Sequence, residues 1–163
     1  MKKLSILTLT MIALAGFMAT TVRAQNPHFL SCGASGVNSD GSLNVSFRIA
    51  GLGSNQSLTV TASADGTAVY ACKNNGGHCP SAANKSTVNG PVSAQGIFTS
   101  GQNGSIRGSL TIDPPPNATL TCPGGQKLVL VSVSFTNVKV SGGGDSCNPS
   151  PGTFAANFFP NCP

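Results

Sequence analysis

The chain has 163 residues, of which 39% are hydrophobic, 6% aromatic and 8% charged; its formal net charge is +5, and it holds six cysteines and twenty glycines but no tryptophan or glutamate. One domain fits this length best. Glycine has no three-residue period and the residues of long helices are scarce, which excludes collagen-like and coiled-coil chains, while low charge with frequent apolar alternation excludes disorder.

Met1-Lys2-Lys3 is a short basic start, and Leu4 to about Val22 is an apolar run. Val22-Arg23-Ala24 then offers small or β-branched residues at the two positions a signal peptidase reads. These features predict a secretory signal peptide over 1–24, cleaved after Ala24, rather than a retained membrane anchor. No cysteine follows the run, so nothing suggests a lipid anchor. The mature chain, 25–163, would be a single secreted domain without membrane attachment, starting at Gln25, which can cyclise. Lys2, Lys3 and Arg23 leave with the signal, so the mature charge falls to +2. The remaining cations, Arg48, Lys73, Lys85, Arg107, Lys127 and Lys139, are spread along the chain, which leaves no footprint for nucleic acid.

A weak first strand is predicted near Phe29–Cys32. Leu43, Val45, Phe47 and Ile49 alternate with polar residues, the signature of a strand with one wet face. Leu58 to Ala64 alternates in the same way. Asp65-Gly66 is a strong two-residue hairpin signal, because both residues tolerate positive φ, and Thr67–Cys72 would return as the next strand. Residues 73–91 read as a loop and Val92–Thr99 as a strand. Gly101-Gln102-Asn103-Gly104 turns the chain into Ile106–Ile112, which Pro114-Pro115-Pro116 stops, since proline cannot donate to a ladder. Leu128–Val140 is the longest apolar stretch and predicts a central strand, covered on both sides at its start. Gly142-Gly143-Gly144 reads as a flexible break. Thr153–Phe159 is the last strand, its Phe158 and Phe159 expected to close the core or cover an edge. About eight short strands at this spacing predict an all-β antiparallel sandwich.

All six cysteines, Cys32, Cys72, Cys79, Cys122, Cys147 and Cys162, lie in the mature part. An even count behind a signal peptide reads as three disulfides made in an oxidising compartment. Fifteen pairings are possible and sequence does not choose among them. Short loops favour Cys72–Cys79 and Cys147–Cys162, with Cys32–Cys122 as the remainder. Zinc is disfavoured: no C-x2-C pair exists, and His28 and His78 are the only histidines.

The runs Ala64 to Cys72, Pro80-Ser81-Ala82-Ala83-Asn84-Lys85, Gly96 to Gly104 and Cys122-Pro123-Gly124-Gly125-Gln126 resemble a group of small exported microbial proteins. The resemblance covers most of the mature chain and implies an immunoglobulin-like all-β domain with no assigned activity. It transfers no catalytic residue. The glycine-rich loop Ser141–Cys147 and Cys162 depart from the pattern, so the resemblance does not carry over the arrangement of the edge strands.

Candidate chemistry is thin. Asp40, Asp65, Asp113 and Asp145 sit beside Gly, Ser or Pro, where aspartate bonds to nearby backbone rather than acting as an acid or base. No G-x-S-x-G elbow, phosphate loop or soft copper-ligand cluster is present. Five N-x-[ST] sequons, at Asn44, Asn55, Asn84, Asn103 and Asn117, bear on glycosylation only in a eukaryotic host. No catalytic residue, metal or cofactor is expected. The expected role is a secreted, non-enzymatic structural or binding module of the cell envelope or extracellular matrix, with polysaccharide or other matrix components as partners. Two alternatives are carbohydrate binding through the polar loops 73–91 and 141–151, and self-assembly by strand addition at a sheet edge.

Overall fold

The computed structural model describes residues 26–79, 84–117 and 119–162. The expected signal peptide lies outside the described residues. The described chain is all β: β1 (His28–Val37), β2 (Leu43–Ala50), β3 (Ser57–Asn74), β4 (Lys85–Thr99), β5 (Ile106–Ile112), β6 (Gln126–Gly142), β7 (Asp145–Cys147) and β8 (Phe154–Asn157).

Two antiparallel sheets form. The first has the order β1-β2-β5; the second runs β4-β3-β6-β7, with β8 also on β6. Leu43, Val45, Phe47 and Ile49 of β2, with Ile106, Leu110 and Ile112 of β5, point inward. They meet Val60, Ala62, Ala64 and Ala68 of β3 and Val133, Phe135, Val138 and Val140 of β6 in one core. The two-residue period of these strands is the direct cause of the two layers, because each strand has one apolar face to bury. Phe47 and Phe98 close one side of the core edge-to-face, with centroids 4.9 Å apart. Gly108 makes room for them, since a Cβ there would stand 2.5 Å from Phe98 and 2.8 Å from Phe47.

The Asp65-Gly66 hairpin does not form. β3 runs straight through it for 18 residues, with Asp65 opposite Pro91 and Gly66 opposite Gly90 on β4. Gly66 serves close packing instead of a turn: a Cβ on it would meet the Pro115 ring at 2.8 Å. The same proline is held by the Tyr70 hydroxyl, which donates to its carbonyl at 2.7 Å. The two-residue hairpin lies further on. Gly143 and Gly144, at φ 64° and 85°, turn β6 into β7, with Gly142 opposite Asp145. The expected flexible break is thus a tight turn.

The loop expected over 73–91 is also shorter. β3 continues to Asn74 and β4 begins at Lys85, so Lys85–Pro91 is strand. β6 is central, between β3 and β7/β8, but Lys127 and Leu128 at its start are exposed rather than covered. There β3 and β6 extend past the first sheet. The proline-rich segment after β5 lies under the inner face of this overhang, against Gly66 and Tyr70, and its Pro114 borders Gly41 together with Leu130. On its outer face Ala71, Val131 and Cys162 are buried, with Val69, Val129, Cys79 and Phe159 packed against them. Phe158 packs on the main core, and the Lys73 ammonium sits 4.5 Å over the Phe159 ring.

Three disulfides staple this frame, and all three expected pairings are corrected. The bonds are Cys32–Cys147, Cys72–Cys122 and Cys79–Cys162. The short Cys72–Cys79 loop does not close, because side chains alternate along β3. Cys72 projects to the inner face and meets the post-β5 segment, whereas Cys79 follows the turn beyond Asn74 and meets the outer-face chain at Cys162. Cys32–Cys147 joins the edge strands β1 and β7, and so ties the two sheets together.

Candidate functional site

The sequence assigned all four aspartates to turns and expected no catalytic residue. Three of the four carboxylates bond locally or across a sheet. Asp40 accepts from the Ser42 backbone N–H at 2.9 Å and its hydroxyl at 2.6 Å, in a turn. Asp65 lies in a strand rather than a turn, opposite a bulge in β6, and accepts from Asn137 Nδ2 at 2.7 Å. Asp145 accepts from the Phe29 N–H at 3.0 Å and the Ser146 N–H at 2.7 Å, which pins β1 to the β6–β7 hairpin.

His28 and Asp145 do come together, but His78 does not join them. His28 Nδ1 lies 3.0 Å from the Asn26 carbonyl at the β1 end. His78 sits in the tight turn beyond β3, its N–H donating to Asn74 Oδ1 at 2.9 Å. The hairpin that carries Asp145 packs against Leu58 and Thr59, at the opposite end of β3. The separation is therefore roughly 50 Å, at about 3.3 Å per residue from Thr59 to Asn74. Among the described residues no three His, Cys, Asp or Glu side chains gather as metal ligands, and all six cysteines are bridged.

Phe29 and Ser146 N–H donors, in that order, hold the Asp145 carboxyl below the usual carboxylate range, with a smaller contribution from His28; the Ser42 side chain and backbone do the same for Asp40. A depressed native pKa means the unfolded chain binds more protons at low pH. These contributions are complete above the unfolded value of about 4, and are lost as pH falls from there through the native pKa. The denaturation midpoint is expected to be flat above about pH 5 and to drop below about pH 4. Asp145→Asn should have a shallower acid slope than the wild type. Identical slopes would show that the Asp145 anchor does not matter to the fold.

The one extended constellation is the outer face of the second sheet. Alternation on β3 turns Thr59, Thr61, Ser63, Asp65 and Thr67 outward, and pairing aligns them with β4 and β6 in rungs. Gln95, Thr61, Ser141 and Ser146 form one rung; Ser93, Ser63 and Lys139 the next. Asn89, Thr67, Ser134 and Ala155 form another, followed by Thr87, Val69, Ser132 and Asn157. Among these positions Asp65 and Lys139 carry the only charges, and no aromatic ring is present. The face presents hydroxyl and amide groups about 7 Å apart along strands and about 5 Å between them. Shallow hollows flank Lys139, one of them lined by Thr59, Thr61, Ser141 and Asp145. Such groups both donate and accept, so they can hydrogen-bond a polar polymer but cannot activate a nucleophile.

Sequence reasoning looked for binding in the end loops and missed this face. The signal was present in the Thr-x-Thr-x-Ser alternation of 59–63 and the Ser-x-Ser-x-Thr of 132–136. Its continuation onto β4 was hidden by reading 85–91 as loop. Compared with known proteins, the chain matches no family model, no curated protein and no solved structure.

Proposed function

We propose that this protein is an exported, non-enzymatic binding or structural module that holds a polar extracellular polymer on the hydroxyl-lined face of its second sheet. The observation that carries this reading is the set of cross-strand rungs, mostly Ser, Thr, Asn and Gln with Val69 and Ala155 among them, spread over β3, β4, β6, β7 and β8 with only Asp65 and Lys139 charged. Polysaccharides of an envelope or matrix are the matching class, because sugar hydroxyls are themselves donors and acceptors. Three disulfides are consistent with an oxidising, extracellular setting. An immunoglobulin-like kinship is supported by strand order. The three-stranded sheet of strands one, two and five faces a sheet with strands four, three, six and seven, the order of such a sandwich whose fourth strand has moved to the second sheet.

Assembly by strand addition has less support. β4 is a long edge strand with Ile97 76% exposed. The Ser100 N–H donates to the Gln56 carbonyl, so even-numbered residues of β4 face β3 and odd-numbered ones face outward. Pro91 therefore removes an outward donor in the middle of the edge, a device that blunts pairing.

The test is retention of the disulfide-intact protein on insoluble neutral polysaccharides such as cellulose, chitin and β-1,3-glucan. Binding is expected to persist at high salt. The combined variant T61V/T67V/S134A should weaken it at least about tenfold, since each hydrogen bond contributes about 0.5–1.5 kcal/mol. Retention of no polymer would overturn the proposal, as would catalytic turnover abolished by Asp145→Asn or His28→Gln.

A further inference from the structure

The outer face of the first sheet carries an arrangement that folding alone does not favour. Arg48 of β2 stands directly opposite Arg107 of β5. Like charges in directly opposed cross-strand positions repel. Ser31 of β1 extends the same rung, and Gly33 and Ser46 belong to the rung beside it. Ser31, Gly33, Ser46 and the two arginines line a shallow depression of about 520 Å³. Gly33 has no side chain, which keeps that floor low. Ser46 Oγ donates to the Gly33 carbonyl.

Among the described residues the arginine charges have no local counter-charge. Arg48 and Arg107 are the only charged side chains on β2 and β5, and β1 carries no acid. Asp40 and Asp65 are engaged in their own turn and on the other sheet. Asp145 is held by the Phe29 and Ser146 N–H groups. Asp113, just past the end of β5, lies six residues from Arg107, roughly 20 Å away along the extended chain. Arg48 Nε is buried and has no hydrogen-bond partner. A second like-charge pair, Lys73 opposite Lys127, differs, because Lys73 rests on the Phe159 ring.

We infer that Arg48 and Arg107 form a binding site for one oxyanion group, a carboxylate or sulfate carried by an acidic polysaccharide. An anion between the two guanidiniums would reverse the repulsion and give the forks the bidentate partner their geometry matches. The Arg48 Nε would gain an acceptor after a small side-chain shift. Two charges flanked by neutral Ser and Gly suit one sparse anion among uncharged sugar hydroxyls, not the dense phosphate track of a nucleic acid. The polysaccharide as carrier rests on the proposed polymer-holding role; the oxyanion site itself does not, and it lies on the opposite sheet.

The test uses the disulfide-intact protein with immobilised dextran sulfate, polygalacturonate and neutral dextran, and inorganic sulfate as competitor. The wild type should be retained more strongly on at least one acidic polymer than on neutral dextran, and that excess should fall as salt rises. Arg48→Gln and Arg107→Gln should each weaken retention about tenfold or more, and Arg107→Lys should restore only part of it. Lys127→Gln removes the same charge from the other pair and should change retention little. R107Q should melt no lower than the wild type, because it relieves repulsion, so lost binding with kept stability separates a ligand site from a structural one. Competition by millimolar sulfate would assign the site to a free oxyanion and support its chemistry; competition only by acidic polymer would assign it to the polymer. Equal losses in K127Q and R107Q, or no retention of the wild type by any acidic polymer and no melting shift with sulfate, would overturn the inference. Failure of the neutral-polysaccharide test with T61V/T67V/S134A leaves these readouts unchanged, so the two readings fail separately.

Discussion

Replacing both Cys32 and Cys147 with alanine should lower the unfolding free energy by about 4 kcal/mol, near the top of the range for a single disulfide. The bond closes a sequence separation of 115 residues, the longest of the three. Chain-entropy reasoning makes the long loop the largest contributor, though the dependence is only logarithmic. It is also the covalent link between the edge strands β1 and β7, so its loss leaves that side of the two-layer structure held by the Asp145–Phe29 hydrogen bond and side-chain packing. The melting temperature should fall by roughly 10–15 °C for a domain of this size. Amides of β1 should exchange with solvent before those of β3 and β6. A variant that melts within about 3 °C of the wild type, a shift worth under about 1 kcal/mol here, would show that the sheets do not depend on this staple.

Gly66→Ala should destabilise the protein by about 1–3 kcal/mol, the range for overpacking. That sign is opposite to the ordinary expectation, because glycine inside a strand normally costs about 0.5–1 kcal/mol relative to alanine. Here the added methyl would stand 2.8 Å from the Pro115 ring and 3.2 Å from Val92. Backing away would pull the Pro115 carbonyl from the Tyr70 hydroxyl, a bond worth about 1 kcal/mol. Equilibrium denaturation in guanidinium reads the change directly. A neutral or stabilising result would mean that the segment 113–117 is free to retreat, and that Gly66 owes its place to something other than this packing.

Gly66 also marks the limit of what sequence alone conveyed. The strands with one wet face were legible, because Leu43–Ile49 and Ile106–Ile112 keep strict alternation and bury one side. Asp65-Gly66 carried the strongest local turn signal in the chain, yet fifteen consecutive residue pairs with β4 outweigh a two-residue preference. The extension of β4 through Lys85–Pro91 was hidden because only Val88 in that stretch is a large apolar residue; the ladder there is held by its partner rather than by its own burial. The cysteine partners were out of reach for a different reason. Loop length orders the pairings of an unfolded chain, whereas the native pairs follow from which face of β3 each thiol leaves. The hydroxyl-lined face was half visible as short Ser and Thr repeats, and it became a surface only once register placed β3, β4, β6 and β8 side by side. The Arg48–Arg107 pair had no sequence signal, since the two residues are 59 positions apart in an otherwise neutral neighbourhood.

The pairing on the β3–β6 overhang has a consequence for how the chain reaches its native state. As synthesis proceeds, Cys72 and Cys79 emerge almost together, whereas their partners follow 50 and 83 residues later. The thiols that meet soonest are thus the ones that must not stay joined. A Cys72–Cys79 bridge made early would lock the start of the overhang with both clamps missing, and only attack by another thiolate could release it. An isomerase, or reducing conditions until Cys162 has been made, becomes a condition of maturation, and strong early oxidation should trap the chain short of it.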